Sequence, residues 1–480
     1  MHSRSFVLPA LALFGGSLTF AQQARVAPLP LQVLHNSPPQ NALGVARAGG
    51  VSLTFNQALL AASLDAQSFH VFGHWSGVRT GTIQLVGGGR VLRFTPQSPF
   101  SAGELVHVTL SRSVESVFGG RMQRGYAWSF WTDSRASSGS YTQTGTLFPG
   151  DTPYGAHGGD VDSDGDLDLC IPNENSSDVS VYLNQGSGTF GAEVTYGVGF
   201  HCSSNEAADF DQDGDVDLVI ANILDDDVSV LLGNGDGTFQ PQQRYACGLE
   251  PRGVAVLDAD GDGDRDFVTA NRVSSDLSLF RNGGAGAFAA EVRFNGGLNR
   301  ETDVLAEDMD GDGRTDLVVV GYSSHNANVL RGDGLGAFQP LTPRAIGSNP
   351  WKLALGDVNG DGFNDVAAAC SGANVASIVM GDGAGGLLPA TTYATGTFPI
   401  AIDLGDLNGD GLLDLAASSF GADFDLYRNL GNGLMGNHTT LSAVTAGSCT
   451  VLHDRDGDGD VDVTGIDELA DRVYLFRQDG

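Results

Sequence analysis

The stretch Asp160-Val161-Asp162-Ser163-Asp164-Gly165-Asp166-Leu167-Asp168 decides how this chain is read. Carboxylates stand at its odd positions and glycine at position 6. The phrase D-x-[DN]-x-D-G-x-x-D returns six more times, starting at Asp209, Asp258, Asp308, Asp357, Asp406 and Asp454. The intervals are 49, 49, 50, 49, 49 and 48 residues. Such regularity marks one supersecondary unit copied seven times.

The chemistry of the phrase points to calcium. A hard cation wants six to eight oxygens, and alternate positions of a tight loop turn inward. The first three loops offer Asp160, Asp162, Asp164, Asp166 and Asp168; Asp209, Asp211, Asp213, Asp215 and Asp217; and Asp258, Asp260, Asp262, Asp264 and Asp266. The fourth offers Asp308, Asp310, Asp312, Arg314 and Asp316. The fifth and sixth replace the position-3 carboxylate by an amide: Asp357, Asn359, Asp361, Phe363 and Asp365; Asp406, Asn408, Asp410, Leu412 and Asp414. The seventh offers Asp454, Asp456, Asp458, Asp460 and Asp462. Position 7 varies freely, as expected if only its backbone carbonyl binds. About seven structural Ca²⁺ are therefore expected. Four carboxylates in one short loop repel one another, and a cation is what orders them.

These loops are not EF-hands. Position 12 lacks the bidentate Glu and carries Ile171, Ile220, Thr269, Val319, Ala368, Ala417 or Gly465. Each loop runs straight into an apolar run such as Leu218-Val219-Ile220, then a second such as Val228-Ser229-Val230-Leu231-Leu232. A glycine turn and an aromatic follow, as in Gly235-Asp236-Gly237-Thr238-Phe239. These turns open no helix and carry no lysine, so they read as hairpins rather than phosphate cradles. A unit of about 49 residues with four short strands has the size of one propeller blade. On these motifs residues 141–480 resemble the FG-GAP/VCBS repeats, the blades of integrin-α-like calcium propellers. The resemblance implies a seven-bladed β-propeller with a structural calcium in a strand-to-strand loop of each blade.

One strand is displaced from the end of the chain to its start. Each copy carries a stretch such as Phe190 to Tyr196 after its glycine turn, but the last ends at Tyr474-Leu475-Phe476-Arg477-Gln478-Asp479-Gly480. Tyr141 to Phe148 stands ahead of the first loop with no preceding blade. The two segments are expected to pair and leave no open sheet edge.

The front of the chain is a different object. Residues 1–140 hold 10 arginines and 4 acids, a net charge of +6, whereas residues 141–480 carry 15 bases and 54 acids, −39. A whole-chain charge of −33 disfavours binding to nucleic acid. Residues 1–21 read as a secretory signal: Arg4, the apolar stretch Phe6 to Phe20, and a small-x-small site at Thr19-Phe20-Ala21. No later segment has the unbroken apolar length of a span, so none is expected once the signal is cleaved. A linker follows at 22–30. Residues 31–133 alternate with period two in short runs, including Val51-Ser52-Leu53-Thr54-Phe55 and Tyr126-Ala127-Trp128-Ser129-Phe130-Trp131. This reads as an antiparallel β-sandwich and resembles the bacterial Ig-like domains, on phrases such as "VSLTFNQAL" and "FTPQSPFSAGELVHVTLS". The resemblance implies a spacer or presentation module. Residues 134–140, "SRASSGS", read as a flexible linker. The fold class is thus all-β, a sandwich followed by a propeller.

Cys170, Cys202, Cys247, Cys370 and Cys449 show no CxxC spacing, so zinc is not expected; Cys202 and Cys247, which precede successive repeats, are the pair open to bridging. His70, His74 and His107 are scattered in the sandwich, and His157, His201, His325, His438 and His453 fall at unrelated places, where loop or surface positions are expected. No nucleophile–base pattern is visible. The function expected is a secreted or cell-surface binding module for a glycan or protein partner, without catalysis. Two readings stand beside it. One is a polysaccharide lyase, for which Tyr154, His201, Arg252, Tyr322 and Trp351 are the residues to converge. The other is a structural surface-coat component.

Overall fold

Alternating apolar and polar side chains bury every second residue of a strand, and the first domain is built that way. In Val51–Phe55, Val51, Leu53 and Phe55 are buried while Ser52 and Thr54 are half-buried. The computed structural model describes residues 27–421 and 423–480. The signal at 1–21 and residues 22–26 of the first linker lie outside the described residues. A four-stranded sheet orders Val33–Ser37, Val51–Phe55, Val91–Pro96 and Gly81–Val86. A five-stranded sheet orders Ala42–Val45, Tyr126–Thr132, Leu105–Leu110, Phe69–Gly73 and Gly77–Val78. The core between them includes Phe55, Leu92, Val108, Trp128 and Phe130.

The repeats form seven further sheets, each starting anew with its repeat. The second is typical, with antiparallel strands Cys202–Ala208, Asp217–Asn222, Asp227–Leu231 and Gln243–Ala246. The fourth adds a fifth short strand, Arg344–Ala345. The strand after each loop, such as Asp217–Asn222, is buried along its whole length. That explains its continuous apolar sequence: both faces are covered. Leu218 and Ile220 pack with Val179 and Val181 of the first sheet, while Val219 and Ala221 pack with Phe267 and Phe280 of the third. The same mode continues from sheet to sheet, and Ile466, Val473 and Leu475 of the seventh pack against Leu169, Ile171 and Tyr182 of the first.

The seventh sheet draws on both ends of the repeat region. Tyr141–Leu147 pairs antiparallel with Arg472–Gln478, with Tyr141 opposite Gln478 and Leu147 opposite Val473. A second tie recurs on the face away from the loops. Thr152, His201, Glu250, Arg300, Asn349 and Phe398 have left-handed backbones, with φ between 52 and 62°. Each donates its N–H to a hairpin side chain of the preceding sheet: Asp471, Ser177, Asp226, Ser275, His325 and Asn374 in turn, at 2.8–3.5 Å. The bond from Thr152 to Asp471 joins the first sheet to the seventh. His325, expected in a loop, sits in one and accepts through Nδ1.

All five cysteines are free thiols, including Cys202 and Cys247. Among the described residues no helix is long and apolar enough to cross a membrane. The pairing of Tyr141–Leu147 carries a test. A chain that begins at Pro149 is expected to exchange the amides of Val473–Phe476 at least about tenfold faster than one beginning at Ser137. Equal exchange in the two would show that this strand does not hold the seventh sheet.

Candidate metal loops and the opposite face

Each loop is organised by its own carboxylates. The buried position-9 aspartate takes two backbone amides. Asp217 accepts from Phe210 N at 2.7 Å and from Gly233 N, beyond the third strand, at 2.7 Å. The same pair of bonds is made by Asp168, Asp266, Asp316, Asp365 and Asp414. In the seventh loop Asp462 keeps the bond from Gln478 N at 2.8 Å, and the guanidinium of Arg455 replaces the other amide. Position 1 accepts from the glycine N–H at position 6, as Asp209 Oδ2 does from Gly214 at 3.1 Å. Position 5 accepts from position 7, as Asp213 does from Asp215 at 2.9 Å.

What these bonds leave over is suited to a cation. The Oδ1 atoms of Asp160, Asp209 and Asp454 at position 1, and of Asp260 and Asp456 at position 3, are buried without a hydrogen-bond partner. Oxygens of Asp160, Asp162 and Asp168, of Asp209, Asp211 and Asp217, and of Asp308, Asp310 and Asp316 gather within 4.8 Å of one another. So do those of Asp258, Asp260 and Asp262, and of Asp454, Asp456 and Asp458. The fifth and sixth loops have Asn359 and Asn408 in place of the position-3 carboxylate. Burial, more than mutual repulsion, drives the position-1 carboxyls up, to about 6 for Asp160, Asp209, Asp308 and Asp454 and about 7 for Asp258. Burial likewise raises Asp168, Asp217 and Asp266 to about 8. All-oxygen donors of this kind fit a hard divalent ion, which would supply the missing positive charge. Gly214 adopts φ 99° and Gly263 φ 103°, so position 6 requires a backbone that L side chains resist. Position 4 is left-handed as well, and at Ser163 and Gln212 without glycine, a feature the repeated phrase does not reveal.

The sandwich lies on this loop face rather than standing clear of it. Arg112 N donates to Gly261 O and Ala127 N to Gly313 O, at 2.8 and 2.9 Å. Asp160 N donates to Trp75 O at 3.0 Å, and Asn41 Nδ2 to Gly362 O at 3.2 Å. Arg47 lies 3.7 Å from Asp454 and Arg112 3.7 Å from Asp260. Residues 134–140, expected to be a flexible linker, are tied down. Arg135 N reaches Gly459 O, its guanidinium meets Asp458 and Asp460 at 3.0 and 2.7 Å, and Ser137 N reaches Asn408 O. The physical reason is charge: an arginine-rich domain meets the most acidic face of the repeats.

Behind this contact lies a cavity of about 310 Å³. His74, Trp75 and Trp131 line it from the sandwich, and Glu206, Asp303 and Lys352 from the first strands of the sheets. Lys352, the single lysine, bonds Asp303 Oδ1 at 3.0 Å and the hydroxyl of Ser204. His157 and His453 are fully buried beside Trp75, not in the surface positions expected of them. Burial keeps these imidazoles neutral: His74 falls to about 4, His107 and His453 to about 3, and His157 well below its ordinary value.

On the face away from the loops, the residues scattered in sequence come together. The indole N–H of Trp351 donates to the Tyr154 hydroxyl, and Tyr322 meets Trp351 edge-on at 5.3 Å between centroids. Arg252 lies over Trp351 at 5.1 Å, and Arg272 lies 5.3 Å from both Trp351 and Tyr322. Arg300 lies 5.9 Å from Tyr322. His201 Nε2 stands 3.2 Å from Glu174 Oε2. The sequence reading missed Arg272, Arg300 and Glu174. The signal was the phase of the repeat: Tyr154, Arg252 and Trp351 each stand six residues before a loop, and Glu174, Arg272 and Tyr322 each fourteen after a loop's first residue.

Comparison with known proteins gives the following. The FG-GAP-like repeat matches residues 160–220, 209–269, 258–319, 308–368 and 357–417. The bacterial Ig-like domain matches residues 28–132. No curated protein sequence matches the chain. Among solved structures, BBS1N from its complex with ARL6DN superposes with TM-score 0.51 at 10% identity, covering 71% of this chain and 97% of that one. An Agrocybe aegerita lectin specific for non-reducing terminal N-acetylglucosamine gives TM-score 0.43 at 18% identity, over 83% and 92% of the two chains. An inactive virginiamycin B lyase from Staphylococcus aureus gives 0.48 at 12%, over 71% and 100%.

Two outcomes are expected. A Cβ on Gly214 meets nothing within 4 Å, so Gly214→Ala isolates the backbone cost, about 1–2 kcal/mol. A Cβ on Gly263 falls 2.1 Å from Gln67 O of the sandwich, so Gly263→Ala is expected to cost more and to loosen the docking too. Asp215→Ala is expected to retain cation binding. Equal cation loss from Gly214→Ala and Asp215→Ala, measured by titration calorimetry, would contradict the slots assigned here.

The second concerns pH. The interface histidines have folded pKa values depressed below their unfolded value of about 6.5, so their contribution is present above that pH and lost as pH falls toward 4. The raised carboxyls act oppositely on total stability, so the readout is docking. Protease cleavage at 134–140 is expected to be slow at pH 7 and fast at pH 4.5 with a protease active at both; equal rates would refute it.

Proposed function

The chain belongs to the FG-GAP-like repeat family, with a bacterial Ig-like domain at its front, and on that footing we propose that it is a secreted or cell-surface calcium-binding module. In this reading the seven sheets are the blades of a closed propeller, and Ca²⁺ in the loops stiffens it. The ligand, a glycan or protein, docks on the face opposite the loops. The observation that carries the reading is the division of labour between faces. The loop face is covered by the sandwich, and the other presents arginine and aromatic side chains from the first strands and from the hairpins after the second strands. Such a surface of variable residues on a fixed scaffold is how binding modules are built.

Residues 160–168 and their six counterparts hold the ion; bound, it supplies positive charge where carboxylates crowd. Seven Ca²⁺ contribute +14 and bring residues 141–480 from −39 to −25. Chelation is expected to lower the melting temperature and metal analysis to find about seven calcium ions per chain. An unmoved melting temperature with no calcium found would sink this reading.

A lyase is the second reading, favoured by the convergence of Tyr154, His201, Arg252, Tyr322 and Trp351. Against a tyrosine base, burial pushes the Tyr154 phenol well above its ordinary range, and its oxygen already accepts the Trp351 N–H. His201 is the base that remains, with a lowered pKa and a partly exposed ring. A polysaccharide panel separates the readings: retention without cleavage supports binding, and unsaturated products support the lyase.

A further inference from the structure

Residues 141–480 have 54 acids for 15 bases, yet three of those bases, Arg252, Arg272 and Arg300, converge on the Trp351–Tyr322 pair. In so acidic a domain, arginines are expected to be paired with carboxylates. Arg244, Arg293, Arg331 and Arg428 are; of the three here only Arg272 is, with Glu250 at 2.9 Å. Arg252 and Arg300 have no carboxylate within 4.0 Å, and the Nε atoms of all three are buried without hydrogen-bond partners. The three cations repel one another. Burial lowers the Arg272 pKa, and Arg252 and Arg300 lower it further. The fold nonetheless holds them together. Arg252 rides on the first strand of the third sheet, Arg272 follows that sheet's second strand, and Arg300 immediately precedes the first strand of the fourth sheet in a left-handed conformation, its N–H donating to Ser275.

We propose that this cluster is a binding site for a carboxylate-bearing saccharide, a uronate unit of an acidic glycan. The proposal rests on the reading that the face opposite the loops is the ligand face. A guanidinium presents parallel N–H donors that match a planar carboxylate, and an anion placed among the three relieves their repulsion. Trp351 and Tyr322 add flat apolar surface on which the ring C–H face of a sugar rests beside its charged group. The Tyr154–Trp351 bond limits the depth of the site, since Tyr154 lines the inner cavity and its hydroxyl is taken.

The test uses the full calcium-loaded chain and titration calorimetry. The probes are oligogalacturonate, oligomannuronate and hyaluronan oligomers, fully methyl-esterified oligogalacturonate, neutral galactan oligomers, and carrageenan oligosaccharides, which carry sulfate and no carboxylate, as the sulfated source. At least one carboxylated oligomer is expected to bind. Its affinity is expected to fall by about tenfold or more in Arg252→Gln and in Arg300→Gln, with melting temperatures not lowered. Arg90→Gln, on the exposed edge of the sandwich, is expected to bind as the parent does. Having the two variants on different sheets guards against a folding defect in either one. If oligogalacturonate is the binder, its methyl ester is expected to lose the same factor. Equal binding of acid and ester, unaltered binding in both arginine variants, or binding of the sulfated oligosaccharides alone would overturn the uronate assignment. Binding of the neutral oligomers alone would overturn it while leaving the ligand face standing; no retention of any glycan or protein would remove both.

Discussion

The carboxylate at position 9 of each loop is the constraint on which the repeat depends. It is buried, and in six of the seven copies each of its oxygens accepts a backbone amide, one at the loop's second residue and one at or just past the end of the third strand. It thus welds the loop to the far side of its own sheet. A side chain in this role tolerates no substitute: an amide presents an N–H where an acceptor is needed, and an apolar residue leaves two buried amides unpaired. This is the physical reason position 9 is Asp in every copy while position 3 admits Asn359 and Asn408.

That weld has an electrostatic consequence. It places a buried charge beside the further carboxylates of its loop, and the sandwich touches the first and the third to seventh of these loops. Repulsion on that scale is met in two ways: the oxygen clusters suit a divalent cation, and the arginine-rich sandwich is laid across them through Arg47, Arg112 and Arg135. The first domain thus lies against the loops with its arginines facing their carboxylates, and its tryptophans and neutral histidines bury themselves against the first strands.

Legibility followed the range of the interactions. The loops were plain because their donors lie within nine residues and recur in one register. The pairing of Tyr141–Leu147 with Arg472–Gln478 was plain because a missing strand at one end matched a surplus strand at the other. The docking of residues 134–140 was not, because a serine-rich composition says nothing about carbonyls more than 250 residues away. The burial of His157 and His453 was hidden for the same reason, since their neighbour Trp75 belongs to another domain. The inter-sheet bonds made by Ser177, Asp226 and Asn374 leave only ordinary turn residues in the sequence. Tyr154, Arg252 and Trp351 were named as candidates, but only sheets arranged side by side bring a shared repeat phase to one point.

Repetition itself then separates scaffold from site. Where a phase of the repeat carries the same residue seven times, as at position 9, it serves the sheet that contains it. Where one phase carries Glu174, Arg272, Tyr322 and Glu468 in different copies, no common structural duty explains the choice, for the hairpins are alike. The unpaired Arg252 and Arg300 are the clearest instance: neither has a carboxylate within 4.0 Å, and the rings of Trp351 and Tyr322 are what their guanidiniums lie against.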